Sequence, residues 1–306
     1  MKRHGFFQDI VKYRTILLML LPAVLFYVLF AYLPMAGIIM AFKRYDYAGG
    51  IFGSPWNGWD NFKFFFESGD GWRVTRNTAL YNVVFIIINN GLQIIAAIFL
   101  FEVGGKWFRK IAQSALFLPY FISWVVVGAI AYNFLNFDIG TINTLLRGLG
   151  LDPIDIYNSP QYWPYILVIV AAWKSIGYGT IMYLAAITGI DTEMYEAAEI
   201  DGANIFQRVR KITIPCLYPT MIILVLLAVG NIFRGDFGMF YNMVGNNGVL
   251  FASTDVIDTY VFRSLLTTND IGMSAAAGFY QSVLGFVTIT LVNYAVRRYD
   301  KERALY

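Results

Sequence analysis

The sequence predicts an all-α integral membrane protein with six transmembrane helices, in which one connection is a polar helix-turn-helix. Three observations carry this. The 306 residues are 58% hydrophobic, 18% aromatic and 14% charged, with a mean hydropathy of +0.56, more apolar surface than one soluble core hides. Apolar runs near 15–41, 77–101, 111–135, 165–188, 216–235 and 275–296 are each long enough to cross about 30 Å of hydrocarbon as a helix. Lys and Arg gather in alternate connections, as they do on the inner side of a membrane.

The first run continues into Ile38 and Met40 without a small-residue cleavage site, so it reads as a retained span and not a signal peptide. Basic residues flank it at Lys2, Arg3, Lys12 and Arg14, follow the second run at Lys106, Arg109 and Lys110, sit between the fourth and fifth at Arg208, Arg210 and Lys211, and close the chain at Arg297, Arg298, Lys301 and Arg303. These four segments define the cytoplasmic side. The chain then divides into a cytoplasmic tail over 1–14, a membrane domain over 15–297 and a cytoplasmic tail over 298–306, with both termini inside. Positions 43–75, 137–163 and 237–270 fall outside. The first outer loop, with Trp56, Trp59 and Trp72, reads as a partly folded interfacial cap. Residues 236–272 are long for a simple connection, and Val249-Leu250-Phe251 leave two readings open, a re-entrant element or a docking surface.

The polar connection spans 189–215. Asp191 can cap a short helix with Glu193 in its first turn. Gly202 supplies a residue that takes φ > 0, and Asn204 with Gln207 opens a second helix as a capping box. In that helix Ile205, Phe206, Val209 and Ile212 share a packing face, opposite Gln207, Arg208, Arg210 and Lys211. An amphipathic hairpin lying on the bilayer is the alternative.

Several chemistries are excluded. Cys216 is the single cysteine and His4 the single histidine, so this chain builds neither an internal disulfide nor a histidine metal site or triad. It has no phosphate-binding Gly-x-x-x-x-Gly-Lys-Ser/Thr. No catalytic residues, metal ligands or cofactor are expected, and a net charge of +3 gives no reason to expect nucleic acid.

Polar residues inside the spans are the candidate path. Asn82, Asn89 and Gln93 lie seven and four apart on one face, with Asn90 beside them. Amides in hydrocarbon must face protein or water. They suit hydroxyl-rich solutes through paired donors and acceptors, and they equally serve as helix-to-helix links. Lys174 lies about ten residues into a span, where a charge marks a watery path or an ion pair. Gly177 and Gly179 are expected to loosen or kink that helix. Trp173, Tyr178, Tyr132 and Tyr280 are candidates to stack on sugar rings, against the alternative of ordinary packing.

Glu196-Ala197-Ala198, Asp201-Gly202-Ala203 and the closing Ile214-Pro215 resemble the coupling loop of a bacterial ABC importer permease. Weaker marks follow in order: Arg76-Asn77-Thr78, Leu118-Pro119-Tyr120-Phe121-Ile122-Ser123-Trp124, Gly140-x-Ile142-Asn143-x-Leu145-Leu146, Val256-Ile257-Asp258-Thr259-Tyr260 and Ala276-Ala277-Gly278. Together they are similar to the carbohydrate-importing branch, though without the large outer insertion of the maltose permease. The resemblance implies a bacterial plasma-membrane subunit forming half of the path for a sugar, with an oligosaccharide as the favoured class. Its ATPase-coupling residues would be Glu196, Ala197, Ala198, Asp201, Gly202, Ala203 and Pro215, and its substrate path would include Asn89, Gln93, Lys174, Trp173 and Tyr178. It further implies a second permease as heterodimer partner, two cytoplasmic ATPase subunits carrying ATP and Mg, an extracytoplasmic solute-binding protein and surrounding membrane lipid. No inverted repeat divides the chain, which fits a half-pore more than a two-fold transporter. An importer of a non-sugar solute, or an enzyme acting on lipid-linked sugars, are the rival readings.

Overall fold

The computed structural model describes residues 12–103 and 105–299. His4 and most of the two predicted tails lie outside the described residues. Among the described residues all the long elements are helical, and five helices are apolar and long enough to span a bilayer. These are α1 (Arg14–Phe42), α3 (Asp70–Glu102), α7 (Trp163–Thr188), α9 (Ile205–Val229) and α12 (Ile271–Tyr299). Between α1 and α3 lies α2 (Asp60–Glu67). The third predicted span is broken: α4 (Lys106–Phe121) and α5 (Trp124–Leu135) meet at 94°. The straight span expected over 111–135 is therefore corrected. Pro119 sits in a 3-10 turn over Leu118–Phe121, and Ser123 starts a new helix by accepting a hydrogen bond from Val126 N–H, so the ladder stops and restarts there.

Boundaries differ elsewhere too. α3 begins before the expected Asn77 and runs for 33 residues, about 50 Å at 1.5 Å per residue, so it projects beyond the hydrocarbon. The second helix of the polar connection is not separate from the fifth span. It runs through Pro215 as α9, because a π turn over Val209–Thr213 lets Ile214 N–H bond Val209 O, five residues back. The same widened turn, over Val28–Tyr32, precedes Pro34 in α1. In both places the extra residue per turn accommodates a proline that has no N–H and crowds the carbonyl behind it.

α3 and α7 form the principal helix pair, and glycines set their closeness. A Cβ at Gly179 would strike the Gln93 side chain, and one at Gly177 the backbone of Leu116 and Phe117. α7 passes through both glycines unbroken, so they admit neighbours and do not kink the helix.

At one end of the bundle Phe65, Val74, Ile257, Tyr260, Met273 and Ala277 are buried together. Here α11 (Ile257–Leu266) is tied to α3. Arg263 forms a bidentate pair with the buried Asp255 carboxylate (2.7 and 3.0 Å), and Arg73 donates to the same group at 3.1 Å. Asn77 donates to Asp255 O (3.0 Å), and Ile257 N–H to Thr78 Oγ1 (3.0 Å). The two stretches 76–78 and 256–260 are thus one structural unit. At the opposite end Ala97, Leu100, Tyr183, Leu184, Ile187 and Leu217 are packed beneath α8 (Thr192–Ile200).

The question left open for 236–272 has an answer in the core. α10 (Phe237–Val244) lies against α5, with Met239, Phe240, Met243 and Val244 buried among Tyr81, Val127 and Trp163. Leu250 is buried as well. The segment folds back into the bundle.

Candidate functional site: a polar cleft and an exposed loop

The break between α4 and α5 creates the first site. Residues 118–123 leave helix geometry in mid-span and free carbonyls that nothing in hydrocarbon would satisfy. Lys174 of α7 satisfies one of them and adds a second donor to another: its Nζ donates to Tyr120 O at 2.8 Å and at 3.3 Å to Pro119 O, which also accepts from Ile122 N–H at 3.2 Å. It also lies 5.2 Å from the Trp124 ring centre and 5.7 Å from that of Tyr120. A cation at the C-terminal end of α4 complements the helix dipole as well as the orphan carbonyls. This is neither of the two sequence expectations alone. Lys174 caps a helix of its own chain, and it does so on the wall of a cleft.

That cleft, about 490 Å³, is lined by Asn89 of α3, Lys174 and Ser175 of α7, Tyr120, Ser123 and Trp124 of the break, and Asp236. Asp236 accepts from Trp124 Nε1 at 2.8 Å and caps α10 through Met239 N–H at 3.1 Å. Asn89 Oδ1 is buried and has no hydrogen-bond partner among the described residues, an acceptor awaiting a donor. The cleft therefore offers a cation, a carboxylate, an unused amide acceptor, a hydroxyl and two aromatic faces, a set suited to a polyhydroxylated solute.

The other predicted path residues separate. Gln93 is turned into the α3–α7 contact, donating to Ser175 O at 3.1 Å, and Asn90 accepts from the Tyr183 hydroxyl at 2.7 Å. Asn82 donates to Thr78 O and to Arg234 O. Trp173 and Tyr178 are half-exposed on α7. Tyr178 stacks on Tyr120, centroids 5.1 Å apart at 16°, and so reaches the break from its far side. Tyr280 packs on Phe65 and Phe66, and Tyr132 on Tyr157. Tyr120, Trp124 and Asp236 were not singled out as path residues. The first two sit in the Leu118–Trp124 motif. Asp236 had a usable signal, an acid one residue before a strongly apolar octet at the end of a span.

The second site is the loop between α7 and α9. Asp191 Oδ1 accepts from Glu193 N–H at 3.0 Å and caps α8. The helix ends as a Schellman turn: Ala203 N–H bonds Ala198 O (2.9 Å), Gly202 N–H bonds Glu199 O (3.0 Å), and Gly202 has φ +78°. The Asn204–Gln207 capping box is complete at 2.8 and 3.0 Å.

This rigid turn is anchored to the bundle. Arg208 pairs with Glu102 at the end of α3 (3.5 Å) and with Glu199 of α8 (3.6 Å). The Tyr195 hydroxyl meets Thr213 Oγ1 at 2.9 Å, its ring lies against Phe101, and burial raises its phenol above the ordinary value. Arg208, expected on the solvated face, is thus an anchor. Ile205 and Phe206, expected to pack, do not: Phe206 is 87% exposed and Ile200 86%. Glu196, Ala197, Asp201, Gly202 and Pro215 are exposed beside them, while Ala198 and Ala203 are half-buried. A preformed turn carries uncovered apolar side chains beside a free carboxylate.

A family description, binding-protein-dependent transport system inner membrane component, matches residues 90–301, a stretch holding both the loop and most of the cleft. Protein LplB of Bacillus subtilis is 34% identical over 285 residues, spanning 93% of this chain and 89% of its own length. The polygalacturonan/rhamnogalacturonan transport system permease protein YteP of the same organism is 29% identical over 301 residues, spanning 98% and 93%. A chain of a bacterial ABC transporter involved in the import of the acidic polysaccharide alginate superposes with a TM-score of 0.86 at 32% identity, covering 95% of this chain and 98% of that one. With the broken span, the cleft behind it and the turned loop all inside this likeness, the chain belongs to the family of binding-protein-dependent transport system inner membrane components.

Proposed function

We propose that this chain is half of the translocation path of an ATP-driven oligosaccharide importer, with its solute passing the cleft at the α4–α5 break. The observation that carries the reading is the half-built character of the chain. Residues 12 to 36 are all exposed, so most of α1 is left uncovered by the described residues, and the polar cleft beside Asn89 and Lys174 stands open. A second, similar permease would cover both. The loop around Gly202, with Ile200, Phe206 and Glu196 outward, is the surface we assign to two cytoplasmic ATPase subunits, which supply the ATP chemistry. The basic segments near 106–110 and 208–211 support a cytoplasmic side for this loop and both termini. The opposite end, around α2 and α11, then meets an extracytoplasmic binding protein. YteP and the alginate transporter support a saccharide as cargo, and the amide, hydroxyl and aromatic lining of the cleft agrees with one.

The test is reconstitution of the chain with its neighbouring permease, ATPase and binding protein in proteoliposomes. Saccharide-loaded binding protein should stimulate ATP hydrolysis and drive uptake of that saccharide. Hydrolysis indifferent to the loaded binding protein would reject the reading.

A further inference from the structure

A second cleft lies between α3 and α7 on another face of the pair, and it shares no lining residue with the first. It measures about 600 Å³. Leu80, Val84 and Ile88 line it from α3, Val168 and Ile169 from α7, and Arg76 stands at its mouth. We infer that this cleft binds one acyl chain of an anionic phospholipid, whose headgroup phosphate is held by Arg76.

Three features select this occupant. The walls are almost wholly apolar below the mouth, so a polar solute would lose its hydration without compensation. From Arg76 to Ile88 the cleft runs twelve residues along α3, about 18 Å at 1.5 Å per residue, close to the depth of one leaflet of an ~30 Å hydrocarbon core. Arg76 is exposed and gives one N–H to Asn77 Oδ1 at 3.2 Å, which leaves the rest of its fork for a phosphate, the anion that fork matches. A packed helix from another subunit is a poorer fit. It would place no anion at Arg76. The cleft reaches the 76–77 and 252–253 contacts that join α3 to the outer cap, so a bound chain would fill a seam at the root of that cap. The choice of leaflet rests on the orientation proposed above; the cleft and its headgroup do not.

The experiment places the purified full chain, with its co-purifying subunits, in nanodiscs containing a photoactivatable-acyl lipid, either phosphatidylglycerol or phosphatidylcholine at equal mole fraction. The phosphatidylglycerol probe should cross-link to the 80–88 and 168–169 segments. Labelling should fall roughly five-fold with phosphatidylcholine or in Arg76→Gln, the worth of one basic residue against an anionic surface, and should persist in Arg76→Lys. Val84→Trp, which fills the cleft, should abolish it while the complex still assembles. Equal labelling by both headgroups, unmoved by Arg76→Gln, would overturn the assignment. So would a photo-crosslinking residue at Val84 that captures another subunit in place of lipid. Membrane vesicles of known sidedness with the probe in a single leaflet separate the two claims: labelling from the cytoplasmic leaflet would reject the proposed orientation and leave the lipid site supported.

Discussion

The loop at Gly202 and the cleft at Lys174 are both polar features of an apolar chain, yet they are held in opposite ways. The hydrogen bonds that shape the turn itself join residues two to five apart, such as Asp191 to Glu193 and Ala198 to Ala203, while Arg208 and Tyr195 tie the base of the loop to the bundle. Those that shape the cleft join residues 54, 82 and 112 apart: Lys174 to Tyr120, Gln93 to Ser175, and Trp124 to Asp236. A perturbation in the loop therefore stays in the loop, where it alters how a rigid surface is presented. One in the cleft releases elements from different parts of the chain. Function and stability should separate in the first region and move together in the second, except where a cleft residue makes no bond of its own.

Lys174→Leu should give the largest effect. It strips the donor from Tyr120 O, at about 1–3 kcal/mol for a carbonyl left without a partner, takes one of two donors from Pro119 O, and removes the cation at the end of α4. Uptake and thermal stability of the assembled complex should fall together, and Lys174→Arg should restore part of both. Loss of uptake with an unchanged melting temperature would mean that Lys174 serves the solute alone, and would erase the contrast between the regions.

Gly202→Val comes next. A Cβ there meets no atom within 4 Å, so the cost is the φ of +78° itself, roughly 1–2 kcal/mol of strain in the turn. Glu196→Lys keeps the turn and reverses an exposed charge, which replaces attraction by repulsion with a basic partner surface. Both variants should reach the membrane and pair with the second permease, but show weakened ATPase attachment or unstimulated hydrolysis. A compensating acid on the ATPase should rescue Glu196→Lys and not Gly202→Val. Wild-type uptake by both would remove the loop from energy coupling.

The same contrast explains how much could be read from the chain before its fold. Span count, the Asp191 and Asn204 caps and the positive φ of Gly202 follow from hydropathy and from motifs a few residues long. The break at Pro119 and the lysine that makes it tolerable did not, because the need for a donor at Tyr120 O and its supply at Lys174 are separated by two helices. Gln93 looked like Asn89 at four-residue spacing; only the packing of Gly179 against it shows that one amide is a link and the other a free acceptor. The exposure of Phe206 was missed for a further reason: periodicity gives an apolar face but not whether this chain or another covers it.

Asn89→Leu sharpens the exception. Its Oδ1 is already buried without a partner, so the variant forfeits no bond within the chain. Stability should hold or rise slightly, while uptake falls several-fold if the solute supplies the missing donor. A destabilised complex with proportionate uptake would return Asn89 to the structural class.

The smallest effect tests the long-range class outside the membrane, where titration reports it. Asp258 of α11 accepts from Gly235 N–H at 2.6 Å and Gln281 Nε2 at 2.9 Å, both on Oδ2. Burial raises its pKa above the ordinary 3.8, against the lowering effect of those two bonds. A carboxyl with a higher pKa folded than unfolded binds its proton more tightly in the folded state. It contributes stability below the ordinary pKa and loses that contribution as pH rises through the folded value. Asp258→Asn keeps an acceptor for both donors and removes the titration. Relative to wild type, its melting temperature should therefore be higher at pH 7 than at pH 4, with the gap closing on the acid side. The measurement is a pair of thermal unfolding series on the assembled complex across that range. A gap that instead widens toward acid would show that the ionised carboxylate, with its two donors, is the favoured folded form, and that two bonds each spanning 23 residues outweigh burial at this position.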